Sequence, residues 1–175
     1  MTFARLPRLK GIRTRIERLP GPPPLPTAEL FEDDALRTLE LRIGDTALAK
    51  RVQKLQAKYP VGSVPELIVL DWLTRNGWRH NYQHALFGGR SLRGGLLPDF
   101  VVFVGGGASA WQVQGEYWHS TKLKGDADRL ANLRMLGQVV DGSRIETVVE
   151  MWEDDIYRKR PQIFYMALAG IGLRA

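Results

Sequence analysis

The chain contains no cysteine, and only three of its 175 residues are histidine. Without thiols, a disulfide scaffold and a thiolate-held metal are both excluded, and a reducing compartment such as the cytoplasm fits. Long apolar runs are missing too. None approaches the ~20 residues that a membrane span needs, so no membrane partner is expected. No internal repeat is visible. Hydrophobic residues make up 44% of the chain and charged residues 25%, a globular rather than a disordered composition. The length suits one compact domain with appendages.

Charge is unevenly spread. The net charge is +6. Residues 1–24 hold Arg5, Arg8, Lys10, Arg13, Arg15 and Arg18 against the single acid Glu17, which leaves 19 basic and 18 acidic side chains for the rest. A basic arm is drawn to phosphates by counterion release, whatever the base sequence. Arg13 and Arg15, in mid-arm, are the candidate contacts. The arm also reads as a solvated tail, and its Arg-rich, acid-poor character leaves organelle import open. Gly21 to Pro26 form a stiff linker. The expected organisation is a basic arm and Pro-rich linker over 1–26, a helical segment over 27–59 and an α/β domain over 60–175.

Beyond the linker, Leu36, Leu39, Ile43, Leu48, Val52 and Leu55 recur at spacings near three and four, which predicts helix from Thr27 to about Lys58. Gly44-Asp45 should break it in two, with Asp45 capping the second half. Ser63-Val64-Pro65-Glu66 matches a capping box that opens another helix, and Asn76-Gly77 ends it. A strand of mixed polarity is expected from Trp78 to Phe87, and then a loop with Arg90 and Arg93 among glycines. Asp99 to Val104 reads as a buried central strand. Gly105 to Gly107 turn the chain, and Trp111 to Tyr117 return as its antiparallel neighbour. Asp126 to Leu136 reads as a helix with Leu130, Leu133 and Leu136 facing inward and Gly137 as its stop. Ile145 to Trp152 is a further strand, followed by an acidic turn and an apolar end packed on the body. The order predicts a mixed sheet flanked by helices.

Candidate chemistry lies in the hairpin. Phosphodiester hydrolysis needs an activated water and charge neutralisation at phosphorus, and Mg²⁺ provides both through oxygen ligands. Alternate residues of a strand share a face, so Gln112, Gln114 and Glu116 line one side, next to the strand that Asp99 opens.

Leu97-Pro98-Asp99-Phe100, then a turn and Trp111-Gln112-Val113-Gln114, resembles the PD-(D/E)xK nuclease superfamily. Gln114-Gly115-Glu116-Tyr117-Trp118-His119 resembles the Gly-x-Phe-Trp-His segment of very short patch repair endonucleases, which nick DNA in mismatch repair. The helix with Asp126, Asp128 and Arg129 and the strand Val148 to Glu153 resemble that group's closing elements. The likeness covers about residues 60–157. It implies a restriction-endonuclease-like fold, Mg²⁺ or Mn²⁺ as cofactor and DNA as partner. By the resemblance, Asp99 is the essential metal ligand, the Val113 carbonyl a second, Glu66 the extra acid on the preceding helix, and His119 a catalytic histidine. Glu116 could supply a carboxylate on the same strand.

The chain departs from the pattern where Gln112 replaces an acid and Gln114 replaces a lysine. A neutral amide is a weaker Mg²⁺ ligand and cannot act as a base. A catalytically impaired DNA-binding or structural protein therefore stands as the alternative to an endonuclease. In the structural reading, residues 1–26 reach a protein partner in an assembly. Each candidate also has an ordinary reading. Asp99 would be a turn residue, Glu66 a cap, the glutamines sheet-edge polar groups and His119 a core histidine. Arg90, Arg93, Lys122, Lys124 and Arg129 would be either phosphate contacts or solvated charges.

Overall fold

The computed structural model describes residues 28–87, 96–115 and 130–170. The first helical stretch is broken where the sequence predicts. Helix α1 (Ala28–Ile43) ends at Gly44, whose φ of +70° suits a residue without a Cβ and whose amide returns to the Glu40 carbonyl at 2.8 Å. Asp45 then caps α2 (Thr46–Lys58), its carboxylate accepting from the Leu48 amide at 2.9 Å. Helix α3 (Val64–Arg75) opens with the full reciprocal capping box of Ser63 and Glu66 and carries a proline in its first turn.

Five strands make one mixed sheet in the order β1-β2-β3-β5-β4. They are β1 (His80–Tyr82), β2 (Phe100–Val104), β3 (Gly107–Gln114), β4 (Val139–Val140) and β5 (Ser143–Trp152). β2 and β3 are antiparallel and joined by Gly105-Gly106. The φ values of these two glycines, +60° and +90°, are those a two-residue hairpin turn demands. β5 lies parallel to β3, from Ala108 against Ile145 to Gln114 against Trp152. A parallel pair needs a long crossover, and α4, described over 130–135, lies within it.

The sheet's two faces are covered unequally. Phe100, Val102, Trp111, Val149 and Met151 pack with buried residues of α1, α2 and α3, and with Ile156, Ile163 and Phe164. The last three belong to α5 (Glu153–Arg158) and α6 (Gln162–Leu168), so the C-terminal apolar stretch does pack on the body. The acidic turn expected after β5 is the first turn of α5, where three carboxylates face the positive end of the helix dipole. On the other face Val101, Ala108, Ala110 and Ile145 pack with Met135 of α4 and with Val140. Trp111 is fully buried in the centre, with its indole N–H on Ser109 Oγ at 3.1 Å.

Three expectations are corrected. The strand read over Trp78–Phe87 is only three residues long, because Gln83 and Phe87 take positive φ values of 50° and 51° and leave the extended region. β3 starts earlier than Trp111, at Gly107: small residues of low strand propensity are held there by ladders to β2 and β5. Leu130, Leu133 and Leu136 do not face inward. They are 61%, 61% and 41% exposed, while Met135 is the buried contact. Asn132, which shares Met135's side of the helix, donates to Glu150 of β5, so the helix is set by Met135 and a polar tie rather than by its leucines. Gly137 does stop α4, with a φ of +80°.

Candidate functional site

Two acidic residues from different elements are linked through Gln83 at the end of β1. Glu66 sits in the first turn of α3 and divides its oxygens between two tasks. Oε1 accepts from Ser63 Oγ at 2.8 Å and from the Ser63 amide at 3.4 Å, closing the capping box. Oε2 accepts from the Tyr82 hydroxyl at 2.8 Å and from Gln83 Nε2 at 3.3 Å. One carboxylate is thus both the cap and part of the candidate site.

Asp99 stands just before β2 and is tied on both sides. Its carbonyl accepts from the Gln83 amide at 2.8 Å, which binds it to the end of β1. Its carboxylate Oδ2 accepts from the Val113 amide at 2.7 Å, which binds it to β3. The side chain therefore takes the place of a ladder hydrogen bond and is fixed against the partner strand. This bond uses the Val113 N–H, the opposite polar group to the carbonyl singled out by the resemblance.

Gln83 links the two acids, its side chain donating to Glu66 and its amide to the Asp99 carbonyl, and Tyr82 holds the Glu66 carboxylate. The Tyr82 ring stacks on Phe100 at 5.0 Å and meets Tyr59 edge-on at 5.4 Å. Burial, the hydrogen bond to Glu66 and the nearby charges of Glu66 and then Asp99 all push the phenol's pKa well above its ordinary value. The hydroxyl therefore stays protonated and remains a donor. Gly62 packs against it so closely that a Cβ there would collide with the Tyr82 hydroxyl. Gln83 completes the group and donates to the Tyr82 oxygen at 3.1 Å. Its positive φ is a small local strain, held in place by its bonds to Asp99 and Glu66.

Among the predicted site residues, the structure brings together Glu66, Asp99 and the backbone of Val113. Gln112 is directed elsewhere, its amide donating to Met135 Sδ at 3.7 Å beneath α4. Its register partner is Glu150. Gln114 is half-buried at the end of β3, in register with Trp152. Glu116, His119, Arg13, Arg15, Arg90, Arg93, Lys122, Lys124 and Arg129 lie outside the described residues. Among the described residues no group of three or more acidic or histidine side chains is placed to hold a metal ion. Also among these residues, no helix is long and apolar enough to cross a membrane.

Tyr82 and Gln83 are the residues that sequence reasoning missed. The available signal was the mixed polarity of residues 78–87: a polar strand end, once paired with β2, must set its side chains beside Asp99. Chemically, the group offers the Glu66 carboxylate held by uncharged donors and the Asp99 carboxylate on the Val113 amide, oxygen ligands of the kind a hard divalent cation takes. Comparison of the chain with protein-family models, with curated proteins and with solved structures finds no match.

Proposed function

We propose that this chain is a divalent-metal-dependent DNA endonuclease with a restriction-endonuclease-like fold, related to the PD-(D/E)xK superfamily. The observation that carries this reading is the linkage of Glu66 and Asp99 through Gln83, with the Asp99 carboxylate fixed to β3 through the Val113 amide. The mixed sheet with helices on its faces is in keeping with the architecture that the resemblance implies.

The donor set fits Mg²⁺ or Mn²⁺, which favour carboxylate oxygens. Asp99 and Glu66 would hold the ion. When bound, it supplies charge neutralisation at the phosphorus and activation of the attacking water. The remaining chemistry belongs to the chain's own side chains. Tyr82, kept neutral, holds the Glu66 oxygen in a fixed direction without cancelling its charge. Gln83 does the same from the strand side. The Val113 amide fixes the Asp99 rotamer, so no side-chain ordering remains for the moment of binding.

Plasmid DNA incubated with Mg²⁺ or Mn²⁺ tests this reading. Wild-type protein should convert supercoiled to nicked or linear DNA, and Asp99→Ala should lower the rate by about a hundredfold or more, the usual scale for losing a group that stabilises transition-state charge. Equal rates in the two proteins would refute the assignment.

A second reading, a nuclease-fold protein that binds DNA without cutting it, is favoured by one observation. Gln112, standing where the superfamily has an acid, is engaged with Met135 rather than with Glu66 or Asp99. Salt-dependent DNA binding with no cleavage under either metal would select it over the first.

A further inference from the structure

Helix α2 lies outside the stretch that resembles the nucleases, and its charge is all of one sign. Its 13 residues hold four basic side chains, Lys50, Arg51, Lys54 and Lys58, and no acid. Arg51 is engaged, its Nε reaching both oxygens of Asp71. The three lysines are exposed, and none has an ion-pair partner among the described residues. Lys159, the other lysine among the described residues, is paired with Asp155 at 2.7 Å.

Lys50, Lys54 and Lys58 follow one another at four-residue steps, so they form a row along one face, about 6 Å apart along the axis. Like charges at that spacing work against the helix. Burial of Leu48, Ala49 and Val52 on its other side holds α2 in place all the same. The row ends at the candidate site. Lys58 Nζ lies 5.1 Å from the centre of the Tyr59 ring, which meets Tyr82 edge-on, and the Tyr82 hydroxyl donates to Glu66 at 2.8 Å. The turn after the helix is tight, with the Gly62 amide on the Tyr59 carbonyl at 3.1 Å.

We propose that the lysine row of α2 is a track for the phosphate backbone of DNA, leading one strand to the Glu66–Tyr82 end of α3. A step of about 6 Å per turn is close to the step between successive phosphates of one strand. A lysine with no acidic neighbour brings its full charge to a phosphate and releases a counterion there. A lipid surface fits less well. It would need large apolar groups exposed beside the charges, and α2 exposes none. The inference rests on DNA as the partner, as in the function proposed above, but not on cleavage.

Fluorescence anisotropy of a labelled DNA duplex, titrated with the full chain in EDTA at several salt concentrations, tests the proposal without cleavage. The logarithm of the wild-type affinity should fall linearly with the logarithm of salt concentration. The triple variant Lys50→Gln, Lys54→Gln, Lys58→Gln should bind more weakly, with a slope smaller by about 2–3, since each phosphate contact contributes about 0.9. Its melting temperature should match that of the wild type, because all three side chains are exposed. A control triple, Arg79→Gln, Arg134→Gln, Arg158→Gln, removes the same charge from side chains that already have partners in Asp141, the Phe87 ring and Asp154. Its slope should change by less than about 1. The proposal is overturned by absence of salt-dependent binding in the wild type, by an unchanged slope in the lysine variant, or by an equal fall in both triples. Lysine-dependent binding to phosphatidylserine vesicles with the DNA slope unchanged would also overturn it, in favour of a lipid surface. Plasmid nicking by the same proteins is scored separately. Binding through the lysines without nicking would keep the track and remove the endonuclease reading.

Discussion

Near its N-terminal end α3 carries Glu66, whose partners Ser63, Tyr82 and Gln83 are all uncharged; further along, Asp71 faces Arg51 and Arg75. Both carboxylates are well supplied with hydrogen bonds, yet they leave different electrostatic surroundings. Hydroxyl and amide donors orient an oxygen while leaving its negative charge available. Guanidinium donors orient it and cancel the charge. With Asp99 joined to the same Gln83, the first end offers negative charge. At the second end the charge of Asp71 is cancelled by Arg51 and Arg75. The nature of the donors, more than their number, separates the two ends.

Breaking the charged end should have the largest effect on stability. Asp71→Ala removes a buried acid from between two arginines, and breaking a buried pair typically costs about 3–5 kcal/mol. Here Arg51 and Arg75 are 35% and 61% exposed and can return to water. A loss of about 2–3 kcal/mol is therefore expected once solvent screening is counted, measured as a shift in the denaturant midpoint. A loss below about 0.5 kcal/mol would mean that the pair is held no more firmly than an ordinary surface bridge.

The neutral end should be more tolerant. Ser63→Ala removes the cap and one donor to Glu66 Oε1, at a cost of about 1 kcal/mol. Tyr82 and Gln83 still hold Oε2, so divalent-cation affinity should change little. A large fall in affinity would show that the cap, not the tyrosine, sets the direction of the carboxylate.

The smallest effect concerns Tyr157 of α5. Burial raises its phenol to about 12 from 10.0. The folded state thus prefers the protonated form. The stability this contributes is complete below pH 10 and is lost as pH rises towards 12. Its buried hydroxyl has no hydrogen-bond partner among the described residues. Tyr157→Phe should therefore be neutral or slightly stabilising at pH 7 and should lessen the loss of stability between pH 10 and 12. Denaturant midpoints at pH 7 and 11.5 measure both effects, and clear destabilisation at pH 7 would contradict this account.

How much of this was legible in the sequence follows the range of the interactions. Local rules located the Gly44-Asp45 break, the Ser63–Glu66 capping box, the Gly105-Gly106 hairpin and the buried strand that starts at Phe100. Each depends on neighbours within a few residues. Tyr82 and Gln83 were hidden because their role arises from pairing between β1 and β2, and from the approach of α3, across long stretches of chain. The leucines at 130, 133 and 136 misled for a related reason. Their spacing gives a stripe, but the face that α4 turns to the sheet is chosen by Met135 and Asn132. Glu66 was readable as a cap and as a candidate ligand. That its two oxygens divide these tasks only the fold could decide.

The central claim is that Glu66 and Asp99 together bind one divalent cation. Titration of the full chain with Mn²⁺, followed by electron paramagnetic resonance, tests it most directly, because bound and free Mn²⁺ are counted without any reference to cleavage. The account predicts one bound ion per chain, lost in Asp99→Asn and weakened at least about tenfold in Glu66→Gln. No saturable Mn²⁺ binding in the wild type, or binding that both substitutions leave intact, would contradict it.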